Sequence, residues 1–171
     1  MATNRRSFAR AADDLIDDVN RALLVELQAD GRASFAELGR RVGLSPPAVA
    51  ERVARLEREG VIAGYRAEVV PAAVGLALTV DIRIRPAPRE LRKVADLARE
   101  TPEVVECQRI TGDDCYVMRA HVRDVGHLEE VIDAFAIHGQ TTTAIVQSAP
   151  VPLRGLALGA GRVSPPGERA G

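Results

Sequence analysis

The sequence predicts an α+β protein in two parts, a helical first part and a second part in which strands and helices alternate. In the first part, apolar residues recur at steps of three and four as far as Gly60, which is the spacing of one helix face. From Leu76 to Ile84 the step becomes two, which is typical of a half-buried strand. We therefore expect a helical domain over 13–63, a linker over 64–75 and a mixed domain over 76–150.

The overall composition limits the class of protein. Hydrophobic residues make up 46% and charged residues 27% of the 171 residues, as in ordinary globular proteins. The formal net charge of −1 gives no overall field that attracts a polyanion, so binding to nucleic acid requires a local basic patch. Residues 1–12 lack the apolar core of a signal peptide and are expected to be a disordered leader. No stretch approaches the roughly 18–20 apolar residues of a membrane span, and we expect a cytoplasmic protein with no membrane contact.

The first predicted helix starts near Asp13 and ends at Asp30–Gly31. Acidic residues crowd its first turns, where the helix dipole favours them. Because two short helices alone bury too little surface, this helix is expected to pack across the pair that follows. Its apolar positions are Leu15, Ile16, Val19, Leu23 and Leu27.

Residues 34–64 predict two short helices joined by a tight turn. Ser34 and Glu37 have the spacing of a capping box, so a helix is expected to begin there and to end at Gly43. Ser45 is expected to cap the second helix, with Pro46 at its first position, where no N–H is needed. Val49, Val53 and Leu56 form its apolar stripe.

Outside this stripe, the second helix carries three arginines at spacings of three: Arg52, Arg55 and Arg58. A small residue near the start of a helix and arginines further along it suit insertion into a DNA major groove. The alternative is a solvated helix with Glu–Arg pairs worth about 0.2–0.5 kcal/mol each. The capped partner helix, the glycine turn and the Ser-Pro start together favour the DNA-binding interpretation.

The same stretch closely resembles the helix-turn-helix of the Lrp/AsnC, or feast/famine, family of prokaryotic regulators. The matching segments are D-G-R-A-S at Asp30–Ser34, E-L-G-R-R-V-G-L-S-P at Glu37–Pro46, R-V-A-R-L-E-R-E-G-V-I at Arg52–Ile62 and G-Y at Gly64–Tyr65. The resemblance implies a regulator that binds double-stranded DNA sequence-specifically as a homodimer or a larger assembly up to an octamer. Arg41 is expected on phosphates and Arg52 at base edges. The full set of expected DNA contacts is Ser34, Arg40, Arg41, Ser45, Pro46, Pro47, Ala48, Glu51, Arg52, Arg55 and Arg58.

The linker over 64–75 contains β-branched residues and ends near a proline, which suggests an extended connector. In the family it resembles, this segment is a strand that pairs with its counterpart in a second subunit. A plain linker and a wing remain open as alternatives. At the other end of the chain, residues 151–171 are rich in proline and glycine and are expected to be a flexible tail.

The second part predicts the order strand, helix, strand, strand, helix, strand, which is the ferredoxin-like βαββαβ arrangement. A T-G-D-D turn separates the two central strands, with Ile110 facing Cys115 and Cys107 facing Met118, so the two thiols are not expected to form a disulfide. Both helices should cover one face of the sheet. The face left open should carry Thr79, Asp81, Arg83, Val117, Arg119 and His121, and we expect homodimerisation through it.

The central turn is also the expected effector site. From the residues alone it could be a hydrated Asx turn, and one short loop offers too few oxygens for a cation. The family resemblance implies a pocket between subunits for an amino acid or another small effector, with Gly112 N–H on a carboxylate and Asp113 or Asp114 on an ammonium group. The family's commoner aromatic and aspartate positions hold Asp114 and Cys115 here, which leaves the ligand open. The expected set is Thr111, Gly112, Asp113, Asp114, Cys115, Tyr116, Gln140, Thr141, Thr142 and Thr143.

No catalytic residue, metal site or cofactor is predicted, because the three histidines lack metal-ligand spacing and no nucleophile or phosphate-loop motif is present. Two alternatives stay open. One is an enzyme resembling the siroheme decarboxylases, which share this layout, with His121, Arg119 and Arg109 in its cleft. The other is a ligand-sensing module that has lost DNA binding.

Overall fold

The computed structural model describes residues 15–159, which form two compact units. The helical unit comprises residues 15–67 together with 153–159, and the sheet unit is Glu68–Pro152. The predicted leader over 1–12 and the last part of the predicted tail, 160–171, lie outside the described residues. The α+β class is confirmed.

In the described part of the helical unit, the helices with defined bounds are α1 at Asp18–Ala29, α2 at Phe35–Val42 and α3 at Pro46–Arg58. The α1 helix begins at Asp18, where Asp17 is its N-cap and accepts a hydrogen bond of 2.6 Å from the Asn20 N–H, whereas the predicted start near Asp13 lies outside the described residues. The predicted stripe of α3 is confirmed as buried. The core residues are Leu15, Leu23, Leu24, Leu38, Val42, Val49, Val53 and Leu56.

The turn between α2 and α3 depends on two glycines. Gly43 takes the left-handed conformation that was predicted, with φ of 74°. Gly39, which the sequence patterns did not single out, is buried against the turn, and its carbonyl accepts a hydrogen bond of 2.9 Å from Leu44 N–H. A Cβ at position 39 would lie 2.4 Å from the Leu44 carbonyl oxygen. The close approach of α3 to α2 therefore requires glycine at 39.

The two helix starts differ in their capping. Ser34 accepts a hydrogen bond of 3.2 Å from Glu37 N–H, as predicted for the first helix of the pair. Ser45 occupies the N-cap position of α3, but its side chain makes no capping hydrogen bond, contrary to the prediction. Pro46 and Pro47 fill the next two positions and have no N–H to donate, so Ala48 is the only one of the first three helical residues that offers a donor.

The linker contains no strand within this chain. Residues 63–70 form neither helix nor strand, and Pro71–Val74 form a single 3₁₀ turn. The expected strand at 64–75 would need a partner from a second subunit, so its pairing stays a prediction.

In the sheet unit, the predicted ferredoxin-like order is present. The strands are β1 at Leu78–Pro86, β2 at Val104–Arg109, β3 at Tyr116–Val122 and β4 at Gly139–Ile145, and the helices are α4 at Leu91–Glu100 and α5 at Val125–Ala136. All three strand pairings are antiparallel, in the order β2-β3-β1-β4. Cys107 pairs with Met118 as predicted, and both cysteines are free.

Both helices of the sheet unit pack on one face of the sheet. Val94 of α4 and Phe135 of α5 are fully buried against the inward-facing residues Val80, Ile82 and Ile84 of β1. The predicted open face is also observed. On it, Arg119 Nε donates to Asp81 Oδ1 at 2.9 Å and Arg119 Nη2 to Asp81 Oδ2 at 3.2 Å, while Thr79 Oγ1 and His121 Nδ1 lie 3.0 Å apart.

The chain after the sheet unit differs from the predicted flexible tail over residues 153–159, which we call the C-terminal strap. Leu158 is half-buried and packs on the cluster of Leu15, Leu24 and Leu56. Side chains of α1 hold the strap through its backbone. Its own side chains therefore need no periodic spacing, and no sequence pattern indicates that it packs. No helix within residues 15–159 combines the length and apolar character needed to cross a membrane.

We predict that Gly39→Ala lowers the free energy of unfolding by about 1–3 kcal/mol, the usual cost of overpacking. The added methyl must displace the Leu44 backbone, which cannot swing aside as a flexible side chain can. Chemical denaturation followed by circular dichroism measures the change. The control is Gly126→Ala near the start of α5, where the added Cβ would make only an ordinary contact of 3.4 Å with Asp124 Oδ1 and the variant should be at least as stable as wild type. An unchanged midpoint for Gly39→Ala would contradict the steric argument.

Candidate DNA-binding and effector sites

The outward face of α3 carries most of the predicted DNA contacts. Its start is accessible, with Ser45, Pro46 and Pro47 exposed and Ala48 half-buried. Further along, Arg55 and Arg58 are exposed and make no ion pair with any residue in 15–159. The buried stripe of α3 fixes this orientation, because a helix that buries positions 49, 53 and 56 must turn positions 55 and 58 outward.

Arg52 differs from the other arginines of α3. Its Nη1 donates to Asp17 Oδ2 at 2.7 Å and to Asn20 Oδ1 at 2.9 Å, and the side chain is about one-third exposed. Asn20 is itself buried and donates through Nδ2 to the Leu15 carbonyl at 2.7 Å. The structure therefore holds the predicted base-contacting residue against the first turn of α1.

The contact with Arg52 affects the pKa of the Asp17 carboxyl. Partial burial acts to raise the pKa of its carboxyl, but the hydrogen bond from Asn20 N–H and the Arg52 guanidinium outweigh it, and the pKa falls below its ordinary value. The charged form of Asp17 is therefore the form that the fold favours.

Arg41 of α2 is also paired within the helical unit. It donates to Glu26 Oε2 at 2.6 Å and to Glu37 one turn earlier in α2. The hydrogen bond to Glu26, followed by the charge of Glu37, raises the pKa of Arg41 further above its ordinary value. These groups are exposed, so salt and DNA phosphates can compete for the guanidinium. Arg40 beside it is exposed and makes no ion pair with a described residue.

The predicted effector turn is anchored on β1. The Cys115 N–H donates to the Ile84 carbonyl at 3.0 Å, and the Ile110 N–H donates to the Cys115 carbonyl at 2.9 Å. Arg85 Nε donates to the Asp113 carbonyl at 2.9 Å, and its Nη2 lies 3.3 Å from Asp113 Oδ2. At the tip, Gly112 has φ of 111°, a conformation that other residues rarely adopt.

Strand β1 brings the two predicted effector segments to the same end of the sheet. Ile84 pairs with Tyr116 on one side and with Thr141 on the other. Gln140 pairs with Arg85. The turn at 111–115 and the start of β4 therefore flank the last residues of β1.

Three members of the predicted effector set point away from the open face. Tyr116 is 7% exposed, and its hydroxyl donates to the Leu91 carbonyl at 3.0 Å, so the core occupies it. Thr141 and Thr143 pair with the core residues Ile84 and Ile82 and thus share the helix-covered face. Side chains alternate along a strand, and β4 therefore leaves only Gln140 and Thr142 of this set on the open face beside Arg85.

Arg85 is the residue that sequence reasoning missed. Nothing in its spacing in the sequence indicated that it would hold the turn. The strand register is what indicates this role. Ile84 pairs with Tyr116, the first residue of β3, and Arg85 is the next residue of β1, so it lies level with the turn that precedes β3. A guanidinium is the side chain best suited to bind a carboxylate in a two-pronged contact.

The three residues considered for enzyme chemistry do not share a face. Arg119 and His121 lie on the open face with Asp81 and Thr79, whereas Arg109 pairs with Tyr116 on the face that the helices cover. Burial, followed by the charge of Arg119, lowers the pKa of His121 below its ordinary value. Within residues 15–159, no three His, Cys, Asp or Glu side chains converge as metal ligands.

Comparison with family models agrees with this two-part arrangement. Residues 16–57 match the AsnC-type helix-turn-helix domain, and residues 78–156 match the Lrp/AsnC ligand binding domain. The chain belongs to the Lrp/AsnC family of transcriptional regulators. The linker and the two termini fall outside these two matches.

Relatives of this Lrp/AsnC protein match it over most of their own length. It is 39% identical to the uncharacterized HTH-type transcriptional regulator YezC of Bacillus subtilis over 134 residues, which cover 78% of this chain and 95% of the relative. It is 38% identical to the leucine-responsive regulatory protein of Escherichia coli K12 over 129 residues, which cover 74% and 78%.

A solved structure in the family contains a bound amino acid. Transcriptional regulator NMB0573 of Neisseria meningitidis, in complex with L-Met, matches with a TM-score of 0.75 and 28% identity. The match covers 81% of this chain and 94% of that one. The fold predicted for this Lrp/AsnC protein is thus shared by a transcriptional regulator in complex with L-Met.

We predict that Asp17→Asn removes a contribution to stability that is present only when Asp17 is charged. Asparagine can still cap α1, so the variant isolates the charge. Because the folded-state pKa of Asp17 is lowered, wild type should exceed the variant by about 0.2–1 kcal/mol near pH 6. The difference should disappear as the pH falls below about 3.9. Urea midpoints across this pH range measure it, and a difference that grows on acidification would contradict the assignment.

Proposed function

We propose that this Lrp/AsnC protein binds double-stranded DNA sequence-specifically as a homo-oligomer and that a small-molecule effector modulates its binding. The observation that carries the proposal is the outward face of α3, which presents an accessible start together with exposed Arg55 and Arg58. A helix seated by one buried stripe and bearing arginines on the other side suits a major groove.

Within this proposal the arginines have different roles. We assign Arg55 and Arg58 to the duplex directly, and Arg40 and Arg41 to phosphates beside the groove. Arg52 can reach a base only by leaving Asp17 and Asn20, so its contact with α1 competes with its contact with DNA. The remaining assigned residues at the helix starts are Ser34, Ser45, Pro46, Pro47, Ala48 and Glu51.

The open face of the sheet unit supports the proposed homodimer. It combines the Asp81–Arg119 pair with exposed Arg83 and half-buried Val117, so it offers both charge and apolar surface to a second copy. Two-fold symmetry of a dimer would match two half-sites about one helical turn apart. Assembly beyond the dimer, up to an octamer, is proposed from the family.

For the effector we propose an amino acid or a similar zwitterion at the end of β1. The bound L-Met of the Neisseria relative supports this class. Arg85 and the Gly112 N–H could take the carboxylate, and Asp113 or Asp114 the ammonium group. Gln140 and Thr142, which pair with Arg85 and Arg83, and Thr111 of the turn are proposed to contribute further hydrogen bonds.

The regulator is preferred over the siroheme-decarboxylase alternative because the relatives are named as transcriptional regulators. The separation of Arg109 from Arg119 and His121 also gives the enzyme proposal no common cleft in this unit. The exposed arginines of α3 favour DNA binding over a sensing module without it. A protein that acts on the chromosome works in the cytoplasm, which we propose as its location.

We predict that Arg55→Ala weakens binding to the preferred DNA sequence by about 1–3 kcal/mol, the discrimination that one good arginine–base contact supplies. The probe is a genomic fragment selected by binding to the wild-type protein. Fluorescence anisotropy at fixed salt measures the affinity, since phosphate contacts make it salt-dependent. The matched control is Arg92→Ala on α4 of the sheet unit, which is exposed and should bind as wild type. Equal affinity for Arg55→Ala and Arg92→Ala would remove α3 from the interface.

We predict that Arg85→Ala weakens effector binding at least tenfold, because a hydrogen bond to a charged group contributes about 1.5–3 kcal/mol. A panel of amino acids including L-Met is screened by thermal shift on wild type, and the affinity of each responding compound is then titrated on the variant. Arg123→Ala, an exposed change outside the turn, is the control and should bind as wild type. Equal affinities for Arg85→Ala and wild type would move the site elsewhere.

A further inference from the structure

The C-terminal strap is held on α1 by side chains that clasp its backbone. Gln28 Nε2 donates to the Leu156 carbonyl at 3.2 Å, and Leu156 N–H donates back to Gln28 Oε1 at 2.5 Å. Two turns earlier on the same helix, Arg21 Nη1 donates to the Leu158 carbonyl at 2.8 Å. One amide group thus satisfies both backbone groups of Leu156, much as a neighbouring strand would.

Close packing accompanies these hydrogen bonds. A Cβ at Gly155 would lie 2.9 Å from Gln28 Oε1 and 3.1 Å from Gln28 Cβ, so a larger residue there must displace the Gln28 side chain from the clasp. Leu156 and Leu158 also line a cavity of about 610 Å³ together with α1 and the start of the linker, including Tyr65. The strap therefore packs as part of the helical unit and lines one side of this cavity.

The helix that binds the strap, α1, also binds Arg41 and Arg52, the two arginines of the predicted DNA contacts that are paired in the structure. Asp17 and Asn20 bind Arg52 of α3, and Glu26 binds Arg41 of α2. The strap contacts Arg21 and Gln28, which lie between and just beyond those positions on α1. Because α1 binds these arginines of α2 and α3, a restraint on α1 also restrains the proposed DNA-binding surface.

The path of the chain gives the strap a second property. The polypeptide leaves the helical unit after Ala67 and re-enters it at Leu153, so with the strap in place two covalent connections join the units. With the strap released, one connection remains. A body held at two points has fewer orientations than a body held at one, and fewer orientations mean a smaller entropy loss on binding.

We propose that the C-terminal strap is a second tether that pre-orients the helical unit for paired DNA half-sites. The inference rests on the proposed function as a DNA-binding dimer. In a dimer, the two helical units must reach half-sites at a fixed spacing, and restraint raises the effective concentration of the second unit at its half-site. Binding to a single half-site makes no such demand. The strap should therefore affect paired sites selectively.

The test uses full-length variants and two DNA probes. Gly155→Val pushes the Gln28 side chain out of the clasp and Gln28→Ala removes that side chain, while Leu153→Ala changes a strap residue that is 76% exposed and serves as control. The probes are a genomic fragment selected by the wild-type protein and the same fragment with one half-site scrambled. Hydrogen exchange at the Leu156 amide, which donates to Gln28, reports whether the strap is docked.

Both docking variants should expose the Leu156 amide and lose about tenfold or more in affinity for the paired site, since avidity gains are commonly larger than this. Their affinity for the single half-site should stay within about twofold of wild type, and Leu153→Ala should match wild type on both probes. Equal losses on both probes would overturn the proposal, because the strap would then only stabilise the helical unit. Undiminished paired-site binding by a protein with an exposed Leu156 amide would overturn it as well. If the wild-type protein selects no genomic fragment at all, the proposed function itself is refuted, whatever the exchange data show about docking.

Discussion

The burial of one narrow apolar stripe of α3 is the constraint on which the rest of the helical unit depends. Val49, Val53 and Leu56 are at most 3% exposed, and their position decides which residues of the helix face outward. Full burial of three aliphatic side chains is worth about 1.5–3 kcal/mol each, far more than any exposed ion pair on the same helix. Arg55 and Arg58 are therefore displayed because hydrophobic packing leaves them no other direction.

The arginines of the helical unit differ in whether a carboxylate binds them. Arg52 and Arg41 are bound by carboxylates of α1 and α2, whereas Arg55 and Arg58 are not bound by any described residue. In the sheet unit, β1 plays a role like that of α1, because it pairs with both β3 and β4 and so carries Arg85 between the turn and the edge strand. In each unit, one central element organises the side chains proposed for function.

Local patterns were enough to predict much of this arrangement. The α3 stripe, the alternation of β1 and the hairpin register are all set by neighbours in the chain, and each is present in the structure. Contacts between distant segments were not predictable in the same way. Gly39 matters because Leu44 folds back onto it, the inward-facing Tyr116 donates its hydroxyl to Leu91, and the C-terminal strap is bound by Gln28. None of these partners has a characteristic spacing in the sequence.

The proline pair at the start of α3 has a chemical consequence. A helix usually begins with four N–H groups free of internal bonds, and these attract anions together with the helix dipole. Here Pro46 and Pro47 supply none, so only Ser45 and Ala48 keep such a group. The N-terminus of this helix is thus poorly suited to bind a phosphate through backbone N–H groups. Long, flexible side chains, which can adjust to the local shape of the duplex, must bind the nucleic-acid backbone instead.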